Sequence, residues 1–159
     1  MATYERKMMD NSLRNVVIPY LREQGFKGSL PHFRRMNETN IDLITFQFNK
    51  WGGSFVVELT SCSIEGVTTS WGEYIPPSKV TAHDINKRFR LGAKSIKDDP
   101  WFVFENAKSE EEFEKVATTV LELLNLTDRS WITNQLNNKG GNNPFFSSLT
   151  RIFNKSNKK

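Results

Sequence analysis

The sequence holds one cysteine, Cys62, and only two histidines, His32 and His83. A lone thiol excludes a disulfide within the chain and any zinc site built on cysteine pairs, and it fits a reducing compartment. The longest uninterrupted aliphatic run is Val16-Val17-Ile18, far short of the roughly 20 apolar residues that cross a bilayer. The opening residues Met1-Ala2-Thr3-Tyr4-Glu5-Arg6-Lys7 carry no apolar stretch behind their basic side chains. No secretory signal is therefore expected, and a soluble, cytoplasmic protein is. Gly52-Gly53 and Gly140-Gly141 lack the flanking residues of either nucleotide fingerprint, so no glycine-rich phosphate loop is present.

The same scarcity bears on catalysis. General acid–base chemistry needs a histidine or paired carboxylates set in a pocket. His32 follows Pro31 at the start of an expected strand, and His83 precedes Asp84 near a loop end. Neither has a sequence neighbour at ligand or triad spacing. Cys62 stands at a strand end, where a free cysteine more often serves as a small core hydrophobe than as a nucleophile. Asp98-Asp99-Pro100 reads as a turn, because a hard-cation site needs more oxygens at defined offsets. No catalytic residue, metal site or cofactor is assigned, and the domain is read as non-enzymatic.

What is present points to one folded domain. The 159 residues match the usual size of a single domain, and chains near that length bury about 70% of their unfolded surface without staples. The net charge of +4 is local. From residue 139 onward there are five basic residues, Lys139, Arg151, Lys155, Lys158 and Lys159, and no acid, which leaves 17 basic against 18 acidic residues in the rest. The body therefore lacks the global positive field of a dedicated nucleic-acid binder.

Leu13, Val16, Val17, Tyr20 and Leu21 recur at helical spacing and predict an N-terminal helix that ends at Gln24, with Gly25 as its stop. Pro19 kinks this helix or starts a fresh one. A strand around Phe33-Arg34-Arg35 follows, then Ile41–Phe48 and Phe55–Ser61. In the latter two, Ile44, Phe46, Phe48 and Phe55, Val57, Leu59 alternate with mixed residues. Short turns between consecutive strands predict an antiparallel meander. Cys62 to Asp84 has no sustained period and reads equally as one long loop, a kind of segment that is often functional, or as a loop that hides a short strand near Glu73–Ile75. Ile85–Leu91 reads equally as helix or strand, and Trp101–Phe104 as a strand. Ser109-Glu110-Glu111-Glu112 is a capping box opening a helix on Phe113, Val116, Ala117, Val120, Leu121 and Leu124. A shorter helix is expected over Asp128–Leu136. Residues 1–136 form the expected single domain; 137–159 form an Asn/Gly linker and a short amphipathic basic tail with Phe145, Phe146, Leu149, Ile152 and Phe153 on one face.

The order of several motifs resembles domain-of-unknown-function family 4304, a bacterial family of uncharacterised proteins. The matching residues are Leu21 through Gly25-Phe26-Lys27, then Phe33-Arg34-Arg35, Phe46-Gln47, Phe55-Val56-Val57, Arg88-Phe89-Arg90-Leu91-Gly92 and Asp99-Pro100-Trp101. The resemblance covers roughly Ser12 to Leu124, and the tail from Asn137 departs from it. It implies a small cytosolic α+β protein with an antiparallel sheet and no known activity, similar to accessory or immunity-type proteins near bacterial toxin systems. The expected fold is α+β: an antiparallel sheet of about four to five strands, an N-terminal helix, and C-terminal helices packed on one face.

One constellation invites a binding role. Arg88 and Arg90 share a face if they lie on a strand, with Trp101 and either Arg34 or Arg35 near them. Such a patch grips phosphate or a carboxylate-rich partner while the aromatic stacks. The competing reading pairs an arginine with Glu58, Glu73 or Asp99 and buries Trp101 in the core. The functional expectation is a protein-binding domain of the immunity type that neutralises a toxin. The alternative is a nucleic-acid-binding accessory protein using the basic–aromatic patch and the basic tail.

Overall fold

The computed structural model describes residues 2–95 and 97–127. The expected helix over Asp128–Leu136 and the linker and tail over 137–159 lie outside the described residues. Helix α1 (Tyr4–Val16) starts at Thr3, whose hydroxyl accepts the Arg6 amide at 3.2 Å. Pro19 lies in the first turn of a separate helix, α2 (Ile18–Glu23), where its missing N–H costs nothing. Of the two outcomes open at Pro19, a fresh helix is the one realised. The apolar stripe nevertheless runs on through the break, with Met9, Leu13, Val17 and Leu21 all buried. Gly25 follows α2 in the left-handed region at φ +89°, and the Phe26 amide reaches back to the Leu21 carbonyl at 2.9 Å.

Strands β1 (Lys27–Ser29), β2 (His32–Met36), β3 (Asn40–Phe48) and β4 (Ser54–Ser63) form an antiparallel meander. The chain then makes a separate two-stranded ribbon, β5 (Val67–Thr68) with β6 (Tyr74–Ile75), and a 3-10 turn at Ala82–Asp84. Two short strands, β7 (Phe89–Arg90) and β8 (Phe102–Val103), share the outer edge of β4. The α+β class and the antiparallel sheet are as expected; counting the short strands, the sheet has six strands among the described residues. Of Ile85–Leu91, only Phe89–Arg90 is regular, and it is a strand.

The long helix α3 (Glu110–Leu126) opens on the predicted capping box: the Glu112 amide donates to the Ser109 hydroxyl, and the Ser109 amide donates to the Glu112 carboxylate. Phe113, Ala117, Val120 and Leu124 of its stripe are buried. They close one core with α1, α2 and the sheet face carrying Phe33, Ile44, Phe46, Phe55, Val57 and Leu59. Fully burying each of these large side chains contributes about 1.5–3 kcal/mol. The other sheet face is covered as well. Val80 and Ala82 pack on Ile41 and Leu43 in a second, smaller cluster that Cys62, Val67, Ile75 and Ile85 border.

Candidate functional site

Strand register draws a polar row across that second face. His32 on β2 lies opposite Thr45 on β3, Thr45 opposite Glu58 on β4, and Glu58 opposite Arg90 on β7. Residues paired in this way share a face. The adjacent row, Phe33, Ile44, Leu59 and Phe89, points the other way into or against the main core. His83 and Arg88 enter the polar row from the covering segment.

Glu58 is the centre of the row and is only 3% exposed. Its Oε1 lies 3.5 Å from Nε of Arg90, and its Oε2 lies 3.4 Å from Nε of Arg88 and 3.8 Å from Nδ1 of His83. Oε2 receives no hydrogen bond from the described residues. A carboxylate this deep needs cations to offset its lost hydration, and two guanidiniums stand beside it. Arg88 Nη1 also donates to the Ala82 and His83 carbonyls at 3.5 and 3.2 Å. Arg90 Nη1 donates to Asp99 Oδ1, and its guanidinium sits 5.6 Å from the Trp101 ring centre. Trp101 Nε1 donates to the other Asp99 oxygen at 3.2 Å. The indole thus stands at the surface, 38% exposed, and does not fill the core.

The remaining candidate arginines part company. Arg34 lies on the same face as the row, but its Nη1 donates to the Ser78 carbonyl and its Nη2 to the Val80 carbonyl at 3.0 Å. It ties the covering segment to the sheet. Arg35 points to the opposite face. Its Nε and Nη2 donate to Asp42 Oδ2 at 2.8 and 2.6 Å, its Nη1 donates to the Gln24 carbonyl at 3.1 Å, and it lies over the Phe26 ring. Asn37 and Asn40 complete the shell of Asp42, each donating at 2.9 Å. Arg88, Arg90 and Trp101 therefore come together, with Glu58 and Asp99 as their partners; Arg34 and Arg35 serve elsewhere.

Nothing in the sequence marks His32, Thr45 and His83 as neighbours, because only pairing across the sheet joins them. The one sequence signal is Glu58, a single acid inside the apolar run Phe55–Leu59. Nδ1 of His32 is 3.0 Å from the Thr45 hydroxyl, and its ring meets His83 edge-on at 5.7 Å. Burial holds the His32 pKa below the ordinary histidine value; His83 and Arg34 add to this and Asp84 opposes it. Burial pushes the Cys62 thiol up to about 11, with Arg34 opposing and Asp42 and Asp84 reinforcing. A thiol so disposed stays protonated at neutral pH and is a poor nucleophile. Among the described residues no cluster of three or more His, Cys, Asp or Glu side chains fits a metal ion, and no helix is long and apolar enough to cross a membrane. A cleft of about 270 Å³ between α1 and α3 is lined by Asn11, Arg14, Asn15, Glu110 and Glu114 among others and includes none of the candidate binding residues.

A second surface has a different character. Among the described residues the β5–β6 ribbon pairs only with itself, and it carries Trp71, 76% exposed, and Tyr74, 58% exposed. Both rings are held: Trp71 Nε1 donates to Glu73 Oε2 at 3.1 Å, and the Tyr74 hydroxyl donates to the Glu65 carbonyl at 2.7 Å. Glu73 thus holds an indole rather than an arginine. The turn is closed by the Thr69 amide on the Glu73 carbonyl at 2.8 Å and the Glu73 amide on the Thr69 hydroxyl at 3.0 Å.

No curated protein and no solved structure matches the chain. The family model described as Domain of unknown function (DUF4304) matches residues 17–134, which takes in the meander, the polar row, the ribbon and α3, and the chain belongs to that family.

Proposed function

We propose that this chain is a non-enzymatic protein-binding domain and that the β5–β6 ribbon is its contact surface. The observation that carries the reading is the pair of exposed rings, Trp71 and Tyr74, each fixed by a hydrogen bond on an element outside the main sheet. Aromatic side chains bring large contact area at low entropic cost and dominate the binding energy of interfaces. Rings already held in place lose less freedom on binding. Neutralisation of a toxin is the particular form of this reading that the family resemblance suggests, and it requires a partner that is harmful when expressed without this chain.

The nucleic-acid alternative has less support. Arg34, Arg35, Arg88 and Arg90 already face backbone carbonyls or the carboxylates of Asp42, Glu58 and Asp99, which offset the positive charge that a phosphate grip relies on. The test is affinity capture from the native host with the tagged full chain. The wild type retains a stoichiometric protein, and the Trp71→Ala/Tyr74→Ala variant loses it with an unchanged melting temperature. Equal retention by a folded double variant overturns the reading.

A further inference from the structure

The chemistry of the ribbon says what kind of surface it fits. From Cys62 to Ser78 there is no lysine or arginine, while Glu65 and Glu73 lie within the stretch. Glu73 places its carboxylate at the Trp71 indole edge, 3.1 Å from Nε1, and the Tyr74 hydroxyl bonds to the backbone of Glu65. The Tyr74–Thr68 pair is exposed, whereas Ile75 and Val67 border the second core cluster. The ribbon therefore has an anchored inner side and an outer side, unpartnered among the described residues, with aromatic rings and carboxylates and no cation of its own. The other highly exposed tryptophan among the described residues, Trp51, differs, since Lys50 Nζ already lies 4.8 Å from its ring centre.

Resting on the protein-binding reading, we infer that the partner presents lysine or arginine side chains to Trp71 and Tyr74. A cation over an aromatic face is attracted by the ring quadrupole, and a neighbouring carboxylate deepens the same potential. Complementary charge also selects among partners and speeds encounter. A second copy of this ribbon is disfavoured, because it would set Glu65 and Glu73 of one chain against those of the other. A polyanion such as nucleic acid is disfavoured for the same reason.

The substitution that isolates charge from shape is Glu65→Gln/Glu73→Gln. The new amide at position 73 keeps an oxygen for the indole N–H, and the Glu65 contact to Tyr74 is through its backbone, so the ribbon is expected to stay folded. The ¹⁵N-labelled full chain is titrated with an oligolysine peptide and, separately, with an oligoglutamate peptide, following the Trp71 indole N–H resonance assigned by Trp71→Phe. The expected result is a saturable shift with oligolysine only, about fivefold weaker in the double glutamine variant and weakened by added salt. No shift with oligolysine, an equal shift with oligoglutamate, or no change in the glutamine variant overturns the inference. A Trp71 resonance that, with no peptide present, shifts when Lys139, Arg151, Lys155, Lys158 and Lys159 are all replaced by glutamine assigns the ribbon to the chain's own basic C-terminal residues and likewise overturns it. The two readings fail separately. If a captured partner depends on Trp71 and Tyr74 but not on the two carboxylates, the cationic partner class falls and protein binding by the ribbon stands.

Discussion

Asp42 accepts hydrogen bonds from two of the three Arg35 nitrogens and from Asn37 and Asn40. Glu58 is nearly as deep, yet its guanidinium neighbours stand at 3.4 and 3.5 Å and keep 34% and 27% exposure. Hydrogen-bond geometry, rather than depth, separates what these two acids contribute. Removing one partner of a hydrogen-bonded buried pair leaves the other charge stranded. Asp42→Ala is therefore expected to lose about 3–5 kcal/mol in urea unfolding. Glu58→Gln should lose only about 1–2 kcal/mol, because Arg88 and Arg90 can rehydrate. Comparable losses would contradict this account. His32 supplies a pH dependence. Its folded-state pKa is depressed by burial first and by His83 and Arg34 next. A depressed pKa contributes stability above the unfolded value of about 6.5, and that contribution disappears as pH falls through the folded value. The stability advantage of the wild type over His32→Asn is thus expected to shrink as pH falls below the unfolded value of about 6.5, read by unfolding curves at each pH.

Among the elements, local chemistry explains the helices well. The reciprocal bonds of Ser109 and Glu112 start α3, and backbone donors at Lys108 and Ser109 hold the Glu112 carboxyl below its usual range. Ser109→Ala is expected to cost about 1 kcal/mol, seen as a lower urea midpoint with an unchanged slope. The α1–α2 break needs no tertiary cause, since Pro19 cannot donate within a continuing helix and instead occupies the first turn of the next one. The β5–β6 ribbon depends on Gly66 at φ +91°, where an added Cβ would collide with the Ile75 carbonyl. The sequence offers a short strand near β6 as one of two readings and gives no sign of β5, and neither two-residue strand has a period to detect.

Taken whole, the molecule is a meander with both sheet faces closed by different means. Among the described residues, α1, α2 and α3 cover one face. An irregular segment covers the other, fastened by Arg34 to the Ser78 and Val80 carbonyls and by the Thr60 hydroxyl to the Lys87 carbonyl at 2.5 Å. This second cover buries Thr45, Glu58 and Thr60, which alternation alone leaves on a mixed, half-exposed face. Arg34→Ala is expected to speed amide hydrogen exchange across Val80–Ile85 while leaving α3 unchanged. Equal protection in variant and wild type would mean that apolar packing of Val80 and Ala82 suffices as the fastening.

Elements with a local cause are legible along the chain: the capping box of α3, the glycine stop after α2, the alternation that makes β3 and β4 strands, and from these the antiparallel α+β class. Which polar groups meet is a matter of the folded arrangement. His32, Thr45, Glu58 and Arg90 are joined by strand register, and His83 and Arg88 by the path of an aperiodic segment. Neither leaves a mark in spacing along the chain. The same holds for the arginines, whose charge is plain in the sequence but whose partners are set by the fold: pairing across the sheet joins Arg35 to Asp42 and Arg90 to Glu58, the path of the aperiodic segment brings Arg88 to Glu58, and Trp71 and Tyr74 are left facing outward.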